Sequence, residues 1–522
     1  MTPEPPERDQ PPQDDPTPAM PTMPHAPAES PHAPAMPTMP HAPAMPTMPH
    51  APAESPHAPA ESPSAPHDPA HAPAPAHGHP DGAHDGPHVS AHMIQPGPGI
   101  RTANFRFPPG FLWGASTSAQ QVEGGNTLND WHTWELEGKV AEKTGDACDH
   151  YHRFREDFDL AKDVGHNAHR FSIEWSRIEP EEGRFSTEAI AHYREVLEAL
   201  RERGITPVVT LFHYTLPRWM AEKGGWENPA IERLFERYVA RVLDEYRDLA
   251  RWWITLNEPV VQAFKGWLLG QWPPGKIDDF TTALQVIRRM MRAHVLAYHA
   301  IHERRIDAMV SIAKHVLAFT PCNPDRFRDR MSVRFREYIF NQLFIDALHH
   351  GTLRVPGLFW ERLPAGRTLD FIGLNYYTRD FVHNTGMNIP GLVGNTCPLD
   401  HHQHIGKRNS LGWEVYPEGL AEFLKTFKRY GLPILITENG VPAHRDEDRW
   451  TFIFMHLWQV ARAIDEGSPV IGYLYWSLLD NYEWADGFAP HFGLVGVDFQ
   501  TQKRHIRHSA WLFANVIRMN EL

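Results

Sequence analysis

Eight short apolar runs of β type, each followed by a helical pattern, constrain this 522-residue chain more than any other feature. The runs are FLWGAST (111–117), AHRFSIEW (168–175), TPVVTLFH (206–213), WWITLNE (252–258), MVSIAKHV (309–316), DFIGLNYY (370–377), PILITENG (433–440) and VIGYLYWSLL (470–479). Between them lie amphipathic stretches such as EAIAHYREVLEALRERG (188–204) and NPAIERLFERYVARVLDEYRD (228–248). The first has apolar residues at helical spacing and stops at Gly204, a usual helix terminator. Strand after helix, repeated, implies a parallel sheet. Eight such units in about 420 residues suit a closed (β/α)8 TIM barrel better than an open doubly wound sheet. The third, fourth, sixth and seventh runs are continuously apolar, as staves covered by helices must be.

The first hundred residues follow other rules. They hold 29 of the 49 prolines and 12 of the 34 histidines, and no Phe, Trp, Tyr or Leu. HAPAMPTMP repeats in tandem at 32–40 and 41–49, flanked by HAPAESP at 25–31, 50–56 and 57–63. Such a segment buries too little apolar surface to offset its ordering entropy, so residues 1–100 are expected to be a disordered tail and 101–522 the barrel domain. HGHPDGAHDGPH (77–88) offers histidines to a loosely held metal, but its spacing implies no defined geometry and a solvated linker is expected. HHQH (401–404) is read as a solvated loop. The tail carries −10 of the formal charge of −14, leaving −4 for the body, and a nearly neutral body argues against nucleic acid or an anionic membrane as partner. No apolar run approaches the roughly 18 residues of a spanning helix, and the N-terminus does not read as a signal peptide. Cysteine occurs three times, at Cys148, Cys322 and Cys397, with no CxxC. Neither a disulfide framework nor a zinc site is expected, and a reducing cytoplasm is the default.

In such a barrel, chemistry gathers at the carboxyl ends of the strands. The residues there are Gln121 and Glu123 past the first run, Arg170 within the second and His213 at the end of the third. Asn257 and Glu258 close the fourth, Asn375, Tyr376 and Tyr377 the sixth, Glu438 and Asn439 the seventh; Trp476, Glu483 and Trp484 belong to the eighth. Polar groups and flat aromatic faces on one rim suit a neutral, hydroxyl-rich ligand with an apolar ring face, a sugar.

Seven ordered stretches make the reading specific: FRFPPGFLWGASTSAQQVEG, HRFSIEWSRIEP, FHYTLPRWM, TLNEP, DFIGLNYYT, ITENGV and GYLYWSLLDNYEWADGF followed by HFGLVGVDF. Over about residues 105–515 the chain resembles glycoside hydrolase family 1, the β-glucosidase family. The resemblance implies a retaining mechanism. Glu438 matches the nucleophile and Glu258 the acid that protonates the departing oxygen and then activates water, two carboxyls about 5–5.5 Å apart in enzymes of this kind. A negative Glu438 is expected to help Glu258 hold its proton near neutral pH. Arg170 matches the arginine that keeps the nucleophile ionised, Tyr377 the tyrosine bonded to it, and Asn257 the partner of the sugar 2-hydroxyl. Gln121, His213, Asn375 and Glu483 match the set that binds the glycone, with Trp476 and Trp484 as its walls and Phe492, in HFGLVGVDF, beside them. The phospho-sugar branch of the family lacks the glutamate matched by Glu483, so an unphosphorylated sugar is expected. Tyr214 departs from the pattern, standing where many relatives carry Trp after the histidine. A phenol accepts as well as donates, which bears on the 3-hydroxyl contact and on sugar preference.

The function implied is hydrolysis of terminal β-D-glucosyl residues, with galactosyl or fucosyl residues tolerated, from small β-glucosides or short β-linked oligosaccharides. A transglycosidase using the same intermediate, and a silent sugar-binding barrel, are the alternatives; both glutamates are present, which disfavours the second. No cofactor and no metal are implied.

Overall fold

Side chains alternate across a strand, so a stave covered on both faces needs apolar residues at nearly every position. The computed structural model, which describes residues 104–355, 359–398, 401–402 and 405–522, meets that need eight times. The staves are β1 (Leu112–Ser116), β2 (Ala168–Ser172), β3 (Thr206–Thr210), β4 (Trp252–Asn257), β5 (Met309–Pro321), β6 (Ile372–His383), β7 (Ile434–Asn439) and β8 (Val470–Trp476). Each pairs in parallel with the next, and β8 returns to β1, so the sheet closes into a (β/α)8 barrel. Every one of the eight apolar runs lands on a stave. The expected tail at 1–100 and the last two residues of HHQH lie outside the described residues.

One alternating set fills the barrel: Ala168, Val208, Ile254, Ala313, Phe371, Leu435 and Leu474 are buried together. The opposite set, including Phe171, Val209, Trp253, Ile312, Leu374 and Ile436, packs outward in the layer shared with the helices. Burying each large apolar side chain contributes roughly 1.5–3 kcal/mol. At Gly472 a Cβ would collide with Leu435 and Leu112, so a glycine lets β8 close on its neighbours.

The helices begin and end where their sequences direct. Ser186 accepts the Ala189 N–H at 3.1 Å and starts the helix Thr187–Glu202, which the chain leaves through Gly204 at φ +69°. The second expected helix is Ile231–Tyr246. Among the described residues no helix is long and apolar enough to cross a membrane.

Two antiparallel pairs were not expected: Thr352–Val355 with Phe359–Arg362, and Val495–Asp498 with Lys503–Ile506. Nor was the length of β5 and β6. These staves stay paired from Ala313↔Gly373 to Pro321↔Val382, and the short strand Asn395–Thr396 adds antiparallel to the end of β6.

Candidate active site

WITLNEP (253–259) raises a local puzzle, an apolar strand that ends in an amide, an acid and a proline. Its run is β4, and its end is displaced by an extra residue. Against β5 the register passes from Ile254↔Ser311 to Asn257↔Ala313, so three steps on one strand match two on the other. β7 does the same against β6, from Ile436↔Leu374 to Glu438↔Asn375. Such bulges re-aim the side chains that follow. Glu258 takes a left-handed backbone, φ +43°, an arrangement that costs of order 1–3 kcal/mol in a residue with a Cβ. Pro259 then opens the helix Pro259–Trp267, where its missing N–H costs nothing. The strand aims the carboxylate; the proline starts the next element.

Glu438 sits at the matching end of β7, buried against a buried arginine. Arg170 grips Glu438 Oε1 through Nη1, Thr210 Oγ1 through Nε at 2.9 Å and Asn257 Oδ1 through Nη2 at 2.7 Å. Tyr377 donates its hydroxyl to Glu438 Oε2 at 2.6 Å. At Gly440 a Cβ would strike the Trp476 carbonyl oxygen, so the glycine of ITENG lets this end of β7 lie against β8. Burial pushes the Glu438 carboxyl up from its ordinary value, opposed by Arg170 and Tyr377 and reinforced by the charge of Glu258.

Glu258 is bound differently. The Tyr214 hydroxyl donates to its Oε2, and Asn375 Nδ2 donates to Oε1 at 2.7 Å while reaching Asn257 Oδ1 at 3.2 Å. Thr437 fixes Asn375 by donating to its Oδ1 at 2.6 Å. His315 Nδ1 lies 3.1 Å from the same Glu258 Oε1. Burial works against ionising Glu258, but charge on His315 and these hydrogen bonds outweigh it and bring the carboxyl down to about 2. This lowering runs opposite to the direction expected from Glu438 alone, because His315 and the hydrogen bonds from Tyr214 and Asn375 act on the same carboxyl. His315 is the residue the sequence reading missed. Counting by twos along β5 from the barrel-filling Ala313 would have found it.

The remaining expected residues form a wall beside the carboxyls. The His213 ring stacks near Trp476 at 6.0 Å and 15° and near Trp484 at 6.3 Å and 10°, and its Nδ1 is buried without a hydrogen-bond partner. Glu483 accepts Trp476 Nε1 at 2.9 Å. Burial pushes its carboxyl up to about 8, and the charges of Glu438 and Asp486 add to that against the Trp476 hydrogen bond. Gln121 is fixed by Ser118 at 2.7 Å and by Asn481 at 3.1 Å. Tyr214 packs on Trp272 at 4.6 Å and edge-on to Trp484 at 5.3 Å. Phe492 is buried edge-on to Tyr377 at 6.3 Å, backing that ring. Three rim candidates face elsewhere. Glu123 pairs with Arg177 at 2.7 Å and Tyr193 at 2.8 Å; the Tyr376 hydroxyl bonds the Tyr416 carbonyl at 2.5 Å; Asn439 bridges the Tyr376 carbonyl at 2.6 Å and the Tyr473 hydroxyl at 2.8 Å. Neighbours on a strand point to opposite faces, which excludes Tyr376 and Asn439 from a pocket holding Tyr377 and Glu438. A cavity of about 680 Å³ between residues 405–418 and the start of the helix Asp446–Asp465 contains none of the site residues.

Two differently held carboxyls, an arginine, and an aromatic wall carrying an unpartnered imidazole nitrogen can bind a polyhydroxylated ring and exchange protons beside it. The sequence matches the family model described as "Glycosyl hydrolase family 1" over residues 103–356 and 361–522. It is 36% identical over 449 residues to the "Beta-glucosidase A" of Thermotoga maritima, covering 80% of this chain and 99% of that protein. It is 32% identical over 482 residues to the "Beta-galactosidase" of Sulfolobus acidocaldarius, covering 79% and 95%. Among solved structures, a β-glycosidase from Pyrococcus horikoshii superposes with a TM-score of 0.75 at 39% identity, covering 80% of this chain and 96% of that one. The Thermotoga maritima β-glucosidase in complex with glucoimidazole gives a TM-score of 0.73 at 34% identity, covering 80% and 99%.

Proposed function

The chain belongs to glycosyl hydrolase family 1, and from that premise we propose that it is a retaining β-glycosidase cleaving terminal, unphosphorylated β-D-glucosyl residues. Its substrates are small β-glucosides and short β-linked oligosaccharides such as cellobiose. The observation that carries this reading is the unequal support of two buried glutamates: Arg170 and Tyr377 on Glu438, and Tyr214, Asn375 and His315 on Glu258.

Glu438 attacks the anomeric carbon, and its charge passes into the new glycosyl–oxygen bond. Glu258 delivers a proton to the departing oxygen, with Tyr214 and His315 beside its carboxyl. While Glu438 is anionic it favours a proton on Glu258; once the ester forms that charge is gone, and Glu258 is free to act as base toward water. Asn257 holds the sugar 2-hydroxyl, a contact that strengthens as the anomeric centre becomes cationic. His213, Gln121 and Glu483 take the other hydroxyls between Trp476 and Trp484. Relatives named for both glucosides and galactosides support tolerance of galactosyl or fucosyl residues. The barrel from 101 onward carries the activity and needs no metal or organic cofactor. Three free cysteines fit a cytoplasmic setting.

Proton NMR of the first-formed sugar tests the mechanism, with β-glucose expected first from a β-glucoside. Glu438→Ala should lower kcat by about a thousandfold or more, with azide restoring part of it. Glu258→Ala should hurt poor leaving groups most, because activated phenolates need little protonation. An initial α-anomer would overturn the retaining assignment.

A further inference from the structure

Beyond the sugar pocket, the extensions of β5 and β6 gather side chains that the sequence scatters between 322 and 402. Cys322 follows β5 and donates its N–H to the Val382 carbonyl at 2.9 Å; Cys397 follows the strand Asn395–Thr396 and donates to the Phe381 carbonyl at 2.6 Å. Both cysteines are thus fixed to β6 through backbone, and their Sγ atoms lie 3.3 Å apart as free thiols. His402 reaches the same point, with a ring nitrogen and both sulfurs all within 4.8 Å of one another. Its ring stacks on Phe381 at 3.8 Å and 16°, and its Nε2 is buried without a hydrogen-bond partner. His401 Nδ1 is 3.2 Å from Cys397 Sγ.

We propose that Cys322, Cys397 and His402 bind one Zn²⁺ ion, with the fourth corner open to His401. Two thiolates and a neutral imidazole cancel the charge of the ion, and this soft donor set selects zinc over magnesium or calcium. Zn–S bonds of about 2.3 Å in a tetrahedron place two sulfurs about 3.8 Å apart, a small opening of the present pair. A disulfide would consume the sulfurs and leave His402 Nε2 buried and unpaired, whereas a metal satisfies all three groups. Asp329 and His383 also approach Cys322. Asp329, however, already accepts the N–H groups of Asn323 at 3.2 Å and Asn384 at 3.0 Å, and His383 Nε2 lies 3.2 Å from Arg326. Binding releases the two thiol protons. Cys322 is seven residues beyond His315 along one extended strand, roughly 20 Å, so the ion ties the segment bearing His402 to the strand pair without touching the chemistry.

The test is metal content of the full chain, purified under reductant without chelator, loaded with zinc chloride and desalted. About one equivalent of zinc is expected to remain, and cobalt substitution should give the thiolate charge-transfer and visible bands of a tetrahedral site. Cys322→Ser and His402→Ala should each weaken zinc binding at least about tenfold, with kcat/KM on nitrophenyl β-glucoside unchanged as the check that the barrel is intact. His383→Ala should leave the zinc in place. Three outcomes would overturn the site: no zinc retained by the wild type, zinc lost with His383→Ala but not His402→Ala, or an intact mass showing Cys322 and Cys397 oxidised to a disulfide in the reduced preparation.

Discussion

A carboxyl pushed up to about 8 inside a sugar pocket is costly to ionise, and Glu483 is such a group. Its folded value lies above the ordinary carboxylate value of 4.5, so the folded state holds the proton more tightly than the unfolded one. The stabilisation from that proton is complete below about pH 4.5 and is lost as pH rises through about 8. Glu483→Gln cannot ionise. It should match the wild type near pH 4.5 and exceed it by a few kcal/mol at pH 8 and above, read as a Tm difference that grows with pH and then levels off. A difference that stays flat from pH 5 to 9 would show that Glu483 is not held in this state. Glu483→Ala, which removes the group that hydrogen-bonds the sugar hydroxyls, should lose roughly 30–1,000-fold in kcat/KM on nitrophenyl β-glucoside. The field of Glu438 and Asp486 that raises Glu483 would also meet a 6-phosphate, which is why the unphosphorylated sugar is the better fit.

At the scale of elements, the barrel was readable because each stave is an apolar run and each run ends at a residue the helix cannot absorb. What could not be read was which neighbours share a face. Tyr376 and Tyr377, or Glu438 and Asn439, look equivalent as letters; counting by twos from the barrel-filling Phe371 selects Tyr377, and the bulge before Glu438 turns that residue into the pocket. His315 was hidden for the same reason, inside a run that reads as uniform strand. The zinc set left no trace because its ligands meet only through the paired ends of β5 and β6. Leu435 tests the division of labour between filling and aiming. It lies in the barrel interior on the strand that carries Glu438. Leu435→Ala leaves a cavity there and should cost about 2–5 kcal/mol in urea unfolding. Glu438 is held from across the barrel by Arg170 and from the neighbouring stave by Tyr377, so kcat/KM at 25 °C should fall less than about tenfold. A collapse of activity at unchanged stability would mean that packing beneath the glutamate, and not its hydrogen bonds, sets its aim.

The whole molecule turns on where its first indispensable residue lies. Residues 1–100 contain no Phe, Trp, Tyr or Leu, so they bring little to bury against a barrel. Five residues further on the situation reverses. The Phe105 N–H donates to the Leu522 carbonyl at 3.2 Å, the Leu522 N–H returns the bond at 2.9 Å, and the Phe107 N–H donates to the Asn520 carbonyl at 2.9 Å. Asn520 also accepts Trp113 Nε1 at 2.9 Å, and the Phe107 ring lies 4.7 Å from that of Trp113. The two described ends of the barrel domain therefore clasp each other over the first stave. A chain beginning at Arg101 should keep kcat/KM and a Tm within about 2 °C of the full protein. A chain beginning at Pro109 removes Phe105 and Phe107 together and exposes Trp113 and the C-terminal helix His508–Met519. At about 3–5 kcal/mol for the loss of the buried Phe107 side chain, with a smaller loss from the half-buried Phe105, its Tm should drop by more than about 5 °C. The contrast between the two cuts is the measurement: equal losses would place binding surface in residues 1–100, and equal silence would mean that the clasp contributes nothing.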